Sequence, residues 1–224
     1  MKRLFFAILM IVFVGSGINA ANPRYNNPEN KAYWGIRLGL DGGATGYVKV
    51  GNEEKELYDS DMGVAITGIY NVPIVANLYL EPGLSVYYNQ YSAVKDYIDD
   101  FGPDITDITR KKFGMRLPVI IGYHFDITKK FKIYLYTGPE LEVGFVAKDQ
   151  IKGYTYRPFT KWQNVYGDQG SLKRVNVLWG YGLGLSYSKF YCGFGGSQGL
   201  VNMLKNSDLR MRELHIYFQI GLNF

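Results

Sequence analysis

The chain has 224 residues and a formal net charge of +5 at pH 7. That length accommodates one large β domain or two small domains. The charge is mild, 20 tyrosines are present and acidic residues occur throughout the chain, so there is no basic stripe of the kind that binds nucleic acid. Cys192 is the only cysteine, which excludes an intramolecular disulfide and a cysteine-rich metal site.

The first residues of the chain, 1–20, are typical of a secretory signal peptide. Lys2 and Arg3 precede the apolar run Leu4–Val14, and small residues up to Ala20 provide a cleavage region. Cleavage after Ala20 removes two cations, which takes the formal charge from +5 to +3. A retained anchor is the alternative, but the run is shorter than the roughly 20 residues that a spanning helix needs.

After an irregular lead-in at residues 21–32, alternation of apolar and polar residues predicts a barrel domain at residues 33–224. Period-two alternation of this kind indicates strands with one apolar and one polar face. The expected eight strands are Tyr33–Asp41, Asp61–Tyr70, Ile74–Gln90, Lys111–Phe125, Phe131–Ala147, Lys173–Ser188, Phe190–Ser197 and Arg212–Phe224.

The last strand predicts how the sheet closes. Every second residue from Leu214 to Phe224 is apolar, and a hydrophobic edge of that length invites aggregation unless another strand pairs with it. We therefore expect this strand to pair with the first one and to close an all-β, eight-stranded, antiparallel up-and-down barrel. Within it, Phe218 and Phe224 are the expected recognition signal for the barrel-assembly machinery.

The connections between the expected strands alternate between long and short. All long loops would then lie at one end of the barrel, as in outer-membrane barrels with short periplasmic turns and long external loops. Pro82 predicts a bulge in the third strand. The long loops are expected at Gly42–Ser60, Tyr91–Arg110, Lys148–Leu172 and Gln198–Met211, and the short connections at Asn71–Pro73, Asp126–Lys130 and Lys189.

Alternation alone does not say which face of the sheet is outside. A soluble lipocalin-like barrel would place the apolar face inside around a ligand, whereas a membrane barrel presents it to lipid. Three features favour the membrane. Aromatic residues gather near strand ends, the third to sixth strands are long enough to span a bilayer, and the polar face is rich in glycine, which leaves room for large tyrosine and arginine neighbours.

The polar face then lines the lumen. Eight strands leave an interior that side chains about fill, and buried charges need partners, so we predict a salt-bridged plug. Glu140 and Glu142 share this face, and a cation site or an acid/base couple is the alternative for that pair. The predicted lumenal network comprises Arg37, Asp41, Glu81, Arg116, Lys132, Glu140, Glu142 and Glu213.

Several segments resemble a known family, the PorT-like outer-membrane β-barrel proteins. The strand Lys112–Tyr123 contains a central Leu-Pro, Ile133–Pro139 is similar to the family's following Tyr-x-x-x-Gly-Pro strand, and Gly180–Leu185 and Gly199–Met203 resemble its late glycine-rich strand and Gly-Leu-x-Asn loop. The resemblance covers Tyr33–Phe224. It implies an eight-stranded barrel in the outer membrane of Gram-negative bacteria, and one branch of the family is tied to protein secretion.

Candidate catalytic and binding residues are few. His124 and His215 are expected at opposite ends of the barrel, which argues against a shared site. Ser197 and His215 near the external rim could serve a lipid-modifying enzyme, with Glu213 as the only acidic orienter, or could simply be polar rim residues. The longest loop could bind lipopolysaccharide or a protein partner, or be a solvated hairpin, through Lys148, Lys152, Tyr154, Arg157, Lys161 and Trp162.

We therefore predict a non-enzymatic outer-membrane barrel without cofactor or metal, which has an envelope-structural or partner-binding role through its external loops. Its expected partners are outer-membrane lipid, the barrel-assembly machinery and an envelope or secretion-system protein, with no nucleic acid. The alternatives are a small pore, a lipid-modifying enzyme and a soluble ligand-binding barrel.

Overall fold

The computed structural model describes residues 31–50, 53–99, 102–167, 170–205 and 210–224. The predicted signal peptide and the lead-in up to residue 30 lie outside this part of the chain. The described elements are β1 (Tyr33–Val50), β2 (Glu53–Val75), β3 (Leu78–Ala93), α1 (Lys95–Asp99), β4 (Ile105–Asp126), β5 (Phe131–Tyr154), β6 (Pro158–Asn164), β7 (Val175–Tyr187), β8 (Phe190–Gly199) and β9 (Arg210–Asn223).

The strands form a closed antiparallel ring. The sheet runs in the order β4-β3-β2-β1-β9-β8-β7-β5, and an additional β4–β5 ladder joins its ends. Strand β9 pairs with β1 from Gly35 opposite Asn223 to Lys49 opposite Arg210. This confirms the eight-stranded up-and-down barrel and the closure of the last strand on the first. Strand β6 is a ninth strand that pairs only with the far end of β5.

The two ends of the barrel differ in their connections. Residues 76–77, 127–130 and 188–189 join consecutive strands at one end, which we call the short-turn end. At the opposite, long-loop end lie the connections that carry α1, β6 and residues 200–205. The alternation of long and short connections predicted from the sequence therefore distinguishes the two ends of the barrel correctly.

The long-loop end contains more strand than the sequence predicted. Gly42–Ser60 was expected to be a loop, but β1 extends to Val50 and β2 begins at Glu53, with Lys49 opposite Glu54 and Val50 opposite Glu53. The sequence of this segment includes the β-forming residue types Tyr47, Val48 and Val50 among polar residues. The Lys148–Leu172 loop likewise begins as strand, because β5 extends to Tyr154 and forms a hairpin with β6.

Two predictions that rested on proline were wrong. Asn71–Pro73 belongs to β2 rather than to a connection, and the turn lies at Ala76 and Asn77, where Ala76 has a φ of 50°. The ladder shifts register between Pro73 and Val75, which accommodates a residue without an amide proton. Pro82 causes no bulge, since β3 and β4 keep one register from Leu78 to Ser92.

The exposed surface of the ring is apolar and its interior is polar. On β1, Trp34, Ile36 and Leu38 are exposed, whereas Arg37 and Asp41 are buried. This arrangement is the opposite of a soluble lipocalin-like barrel, whose apolar face surrounds a ligand. Among the described residues, no helix is long and apolar enough to cross a bilayer.

Glycines on the inner face make space for tyrosine rings, as the sequence predicted. A Cβ atom at Gly122 would collide with the phenol of Tyr79, and one at Gly184 would lie 2.6 Å from the Tyr191 hydroxyl. The aromatic rings of Tyr79, Tyr134 and Tyr191 pack together in the short-turn half of the lumen. The interior is therefore filled by large side chains that project from one wall over glycines of another.

Candidate functional site

A chain of buried ion pairs crosses the long-loop half of the lumen. The Lys112 ammonium contacts Glu142 Oε1 at 2.5 Å and Glu213 Oε2 at 2.9 Å, and both partners are almost inaccessible to solvent. Asn176 Nδ2 donates a hydrogen bond to Glu213 at 3.1 Å. This arrangement joins side chains from β4, β5, β7 and β9.

Arg116 extends the same chain to β1. Its Nε donates to Glu142 Oε2 at 2.9 Å, and its Nη1 donates to Asp41 Oδ2 at 2.8 Å. The guanidinium also lies 4.4 Å from the centre of the Tyr87 ring. Glu142 thus binds Lys112 with one oxygen and Arg116 with the other, so that opposite walls of the barrel are linked by alternating charges.

A second ion pair lies towards the short-turn end. Arg37 Nη1 contacts Glu81 Oε1 at 2.8 Å and Arg37 Nη2 donates to Glu81 Oε2 at 3.0 Å, which is the bidentate geometry that arginine favours. Asn71 donates a further hydrogen bond to Glu81 at 3.1 Å. The Arg37 guanidinium lies 3.8 Å from the centre of the Tyr191 ring.

The space left between these two networks is small. A cavity of about 50 Å³ lies between Arg37 and Arg116 and is also lined by Glu140, Tyr136 and Tyr217. One water needs roughly 10–15 Å³ of such volume, so the cavity holds only a few waters. The short-turn mouth is wider, with a cavity of about 240 Å³ lined by residues that include Lys132 and His124.

Most of the residues predicted for the lumenal network lie in the interior. Lys132 is the exception, because it is at the short-turn mouth, 3.2 Å from Asp126. Glu140 lines the small cavity, and its carboxylate forms no ion pair with any residue in the described part of the chain. The buried members are Arg37, Asp41, Glu81, Arg116, Glu140, Glu142 and Glu213.

Sequence reasoning missed Lys112, the cation that joins the two most buried carboxylates. The period of two in a strand could have revealed it. Lys112 precedes Gly114 by two residues and Arg116 by four, so all three lie on the same face of β4. The expected strand Lys111–Phe125 included Lys112, but the residues assigned to its polar face began only at Gly114. The register instead continues the strand to Ile105, well beyond Lys112.

Three buried side chains have the spacing of metal ligands. Ligand atoms of Glu142, Glu213 and His215 lie within 4.8 Å of one another. The Lys112 ammonium already contacts both carboxylates, so a metal cation there would meet a like charge at short range. The arrangement is suited to a lysine held between carboxylates rather than to a metal ion beside it.

Ser197 and His215 are paired across β8 and β9, as their predicted proximity requires. Neither residue lies at a rim, however, because both side chains are completely buried and β9 continues beyond them to Arg210. His124 lies far from them near the short-turn end, where its Nδ1 is 3.1 Å from Asp126. The two histidines therefore belong to different regions, as the sequence indicated.

The long-loop end is covered by a small apolar cluster. The connections after β6 and β8 meet there, since Lys173 N donates to Met203 O at 2.8 Å and Lys205 N donates to Ser171 O at 3.0 Å. Burial raises the pKa of the Tyr166 phenol in this cluster to about 12. The cluster consists of Ala147, Val165, Tyr166, Leu172, Met203 and Met211.

The predicted loop-contact residues do not form one patch. Lys148, Lys152 and Tyr154 share the outward face of β5, and Trp162 joins them because it is opposite Gln150. Lys161 precedes Trp162 on β6 and so points to the other face, while Arg157 lies in the turn. Lys152 pairs with Asp107 at 3.0 Å, and Trp162 lies 5.2 Å from the ammonium of Lys111.

Comparison with known proteins gives a family match and several structural similarities. A family model described as an outer membrane protein beta-barrel domain matches residues 19–205. Ail, the attachment invasion locus protein of Yersinia pestis, in complex with the heparin analogue sucrose octasulfate, is similar with a TM-score of 0.42 and 11% identity, over 87% of this chain and 100% of that one. Neisserial surface protein A has a TM-score of 0.41 and 14% identity, over 87% of this chain and 100% of its own. No curated protein matches the chain.

Proposed function

This chain belongs to the outer membrane protein β-barrel domain family, and we propose that it is a non-enzymatic barrel with a plugged lumen that acts through its long-loop end. The observation that carries the proposal is the chain of ion pairs across the lumen, with only about 50 Å³ of cavity between Arg37 and Arg116. Most of these buried charges have ion-pair partners, which charges in a water-filled conduit would not need.

The finer identity proposed is a PorT-like barrel of Gram-negative bacteria, exported by a signal peptide at residues 1–20. The supporting features are the Leu-Pro strand, the Gly-Pro strand and the late Gly-Leu-x-Asn loop. In an outer-membrane barrel of this kind, the short-turn end faces the periplasm and the long-loop end faces outward. Phe218 on β9 and Phe224 directly after it are both exposed, and they are the proposed contact for the barrel-assembly machinery.

The long-loop end offers the surface for a partner. Strands β4, β5 and β6 together form a sheet that continues past the apolar belt, up to Gly153 opposite Ile105 on one side and Tyr154 opposite Pro158 on the other. A rigid, strand-built projection of this kind is suited to recognition, because its side chains are already ordered before binding. We propose that it contacts lipopolysaccharide or an envelope protein.

Ion conductance tests the plug. The full chain, reconstituted in planar bilayers, is expected to show no stepwise conductance. A matched control is the double variant Arg37→Ala with Glu81→Ala, which removes both members of one ion pair and so leaves no unpaired charge. This variant should still migrate faster unboiled than boiled on a gel, as a folded barrel does, and should conduct once Lys112→Ala with Glu213→Ala also opens the network in the long-loop half.

A small pore is the second candidate function, and the cavity of about 240 Å³ at the short-turn mouth is the feature that favours it. Stepwise conductance of the wild-type protein would establish the pore and reject the plug. The enzymatic alternative needs substrate access to Ser197, which is completely buried. An altered lipid A composition in cells that carry Ser197→Ala or His215→Ala would revive it.

A further inference from the structure

We infer that the outer wall of the barrel binds a phosphate group of an outer-leaflet glycolipid in a groove between β4, β5 and β6. We call this feature the basic groove. It has a volume of about 450 Å³ and is lined by Tyr88, Lys111, Lys112, Phe113, Val146, Lys148 and Trp162. The inference rests on the proposed function in one respect, namely that the long-loop end faces outward.

The backbone register brings the two lysines together. Lys111 of β4 is directly opposite Lys148 of β5, so both side chains project from the same face of the sheet. Trp162 on β6 completes the site, with its ring centre 5.2 Å from the Lys111 ammonium. Two like charges opposite each other destabilise a sheet, and an anion between them would remove that repulsion.

Neither lysine has an acidic partner in the described part of the chain. No carboxylate there lies within ion-pair distance of Lys111 or Lys148, whereas Lys152, two pairs further out on the same face, is bound to Asp107 at 3.0 Å. The positive charge of the basic groove is therefore available to a ligand, and the next lysine along the strand is not.

The lower part of the groove is continuous with the lipid-facing belt. Phe113 and Val146 are exposed directly below the lysines, and the Phe113 and Phe145 rings lie 5.9 Å apart on the same wall. Below them, exposed apolar residues such as Val119 and Ile121 continue along β4. Lysines just above an aromatic boundary lie at the depth of the lipid headgroups, where anionic lipids attract basic residues.

This arrangement selects the ligand class. An acyl chain would lie against Phe113 and Val146, while a phosphate on the sugar headgroup would lie between Lys111 and Lys148. Trp162 provides a flat surface beside the phosphate for the sugar ring. A soluble protein partner would not need the apolar floor, which is in the membrane, so the glycolipid is favoured over a protein.

The test uses the full chain in phosphatidylcholine nanodiscs titrated with bisphosphorylated lipid A. With Trp34→Phe and Trp179→Phe in the background, Trp162 is the only remaining tryptophan and its fluorescence reports binding. Lys111→Gln with Lys148→Gln should weaken binding about thirtyfold, because each basic residue near the surface contributes about 1 kcal/mol towards an anionic headgroup. Dephosphorylated lipid A should bind the unsubstituted groove as weakly as lipid A binds the double variant.

Two single variants are the controls; each removes one positive charge, and combined they remove two positive charges, as the Lys111/Lys148 double variant does. Lys152→Gln alters the ion-paired lysine on the same face, and Lys161→Gln alters a lysine on the opposite face of β6. Both should bind lipid A within about twofold of the parent protein, because neither lysine lies in the groove. Equal affinity of the parent and the Lys111/Lys148 double variant would overturn the inference, and so would inorganic phosphate that competes as well as lipid A.

The outcome separates this inference from the proposed function. A conducting barrel that still loses lipid A affinity in the double variant would reject the plug and retain the groove. If the barrel does not conduct and the Lys111/Lys148 double variant binds lipid A as tightly as the parent, the plugged lumen stands and the proposed lipid site is rejected. Faster migration of unboiled protein on a gel verifies that each variant is folded.

Discussion

Lys111 and Lys112 are consecutive residues of β4, yet they belong to different parts of the molecule. Lys112 points into the lumen, where it is 1% exposed and is bound by Glu142 and Glu213. Lys111 points to the outer wall beside Trp162 and has no acidic partner among the described residues. A strand has a side-chain period of two, so one step along the chain exchanges the interior for the surface.

The comparison shows that residue type does not decide whether a lysine serves structure or recognition. Inside the barrel, the desolvated ammonium is tolerated only because two carboxylates surround it, and those carboxylates in turn depend on it. On the wall, the ammonium stays hydrated and costs little, so it is available to bind. The same strand thus carries a structural cation and a proposed ligand-binding cation next to each other.

The largest expected effect comes from removing the interior lysine. Lys112→Met should lower the free energy of unfolding by about 3–5 kcal/mol, because Glu142 and Glu213 would remain buried without their shared cation. Urea titration of the protein in lipid vesicles measures this. Lys111→Met is the matched control on the neighbouring residue and should change stability by no more than about 0.5 kcal/mol.

A second variant distinguishes lost charge pairing from lost packing. Adding Glu142→Gln and Glu213→Gln to Lys112→Met removes the charges of both carboxylates, while Arg116 keeps Asp41 as its partner, and should recover part of the lost stability. If the triple variant were less stable than Lys112→Met alone, the interior lysine would owe its importance to shape rather than to charge.

The glycines give a smaller effect, which sharpens the same contrast between the two faces. Gly122→Ala places a methyl group against the Tyr79 phenol inside the barrel and should cost about 1–3 kcal/mol by overpacking. Gly68→Ala on the outer wall meets no atom within 4 Å and should leave stability unchanged or slightly raised. Equal losses for the two variants would mean that backbone conformation, not the packed lumen, selects glycine.

Much of this architecture follows from the sequence. The alternation from Leu214 to Phe224 predicted closure on β1, and parity along each strand separated Ile36 and Leu38 from Arg37 and Asp41, because a strand has only two faces. Closure then brings the polar faces of all strands together, so a charged lumen could be predicted from the residues on those faces. The individual pairings inside it could not, because they cross between strands far apart in the chain.

Other features escaped the sequence for physical reasons. The strand segments beyond Asp41 and Ala147 contain too many polar residues for the alternation to be visible in the sequence. The turn at Ala76 carries no glycine or proline to mark it, and Pro73 beside it suggested the wrong position. The apolar cluster around Met203 and Met211 joins loops without periodicity, so only their packing reveals it.

The smallest expected effect concerns Lys152, the outer-wall lysine that does have a partner. Its ammonium and the Asp107 carboxylate are 3.0 Å apart, but both side chains are more than a third exposed, so water and salt screen the pair. Lys152→Gln should therefore change the free energy of unfolding by about 0.2–1 kcal/mol at low salt and by less at high salt. Lys112→Met should show almost no such salt dependence, because its partners are buried. Urea titrations at two salt concentrations measure both, and an equal response of the two variants to salt would mean that the interior network is open to ions, which a plugged lumen does not permit.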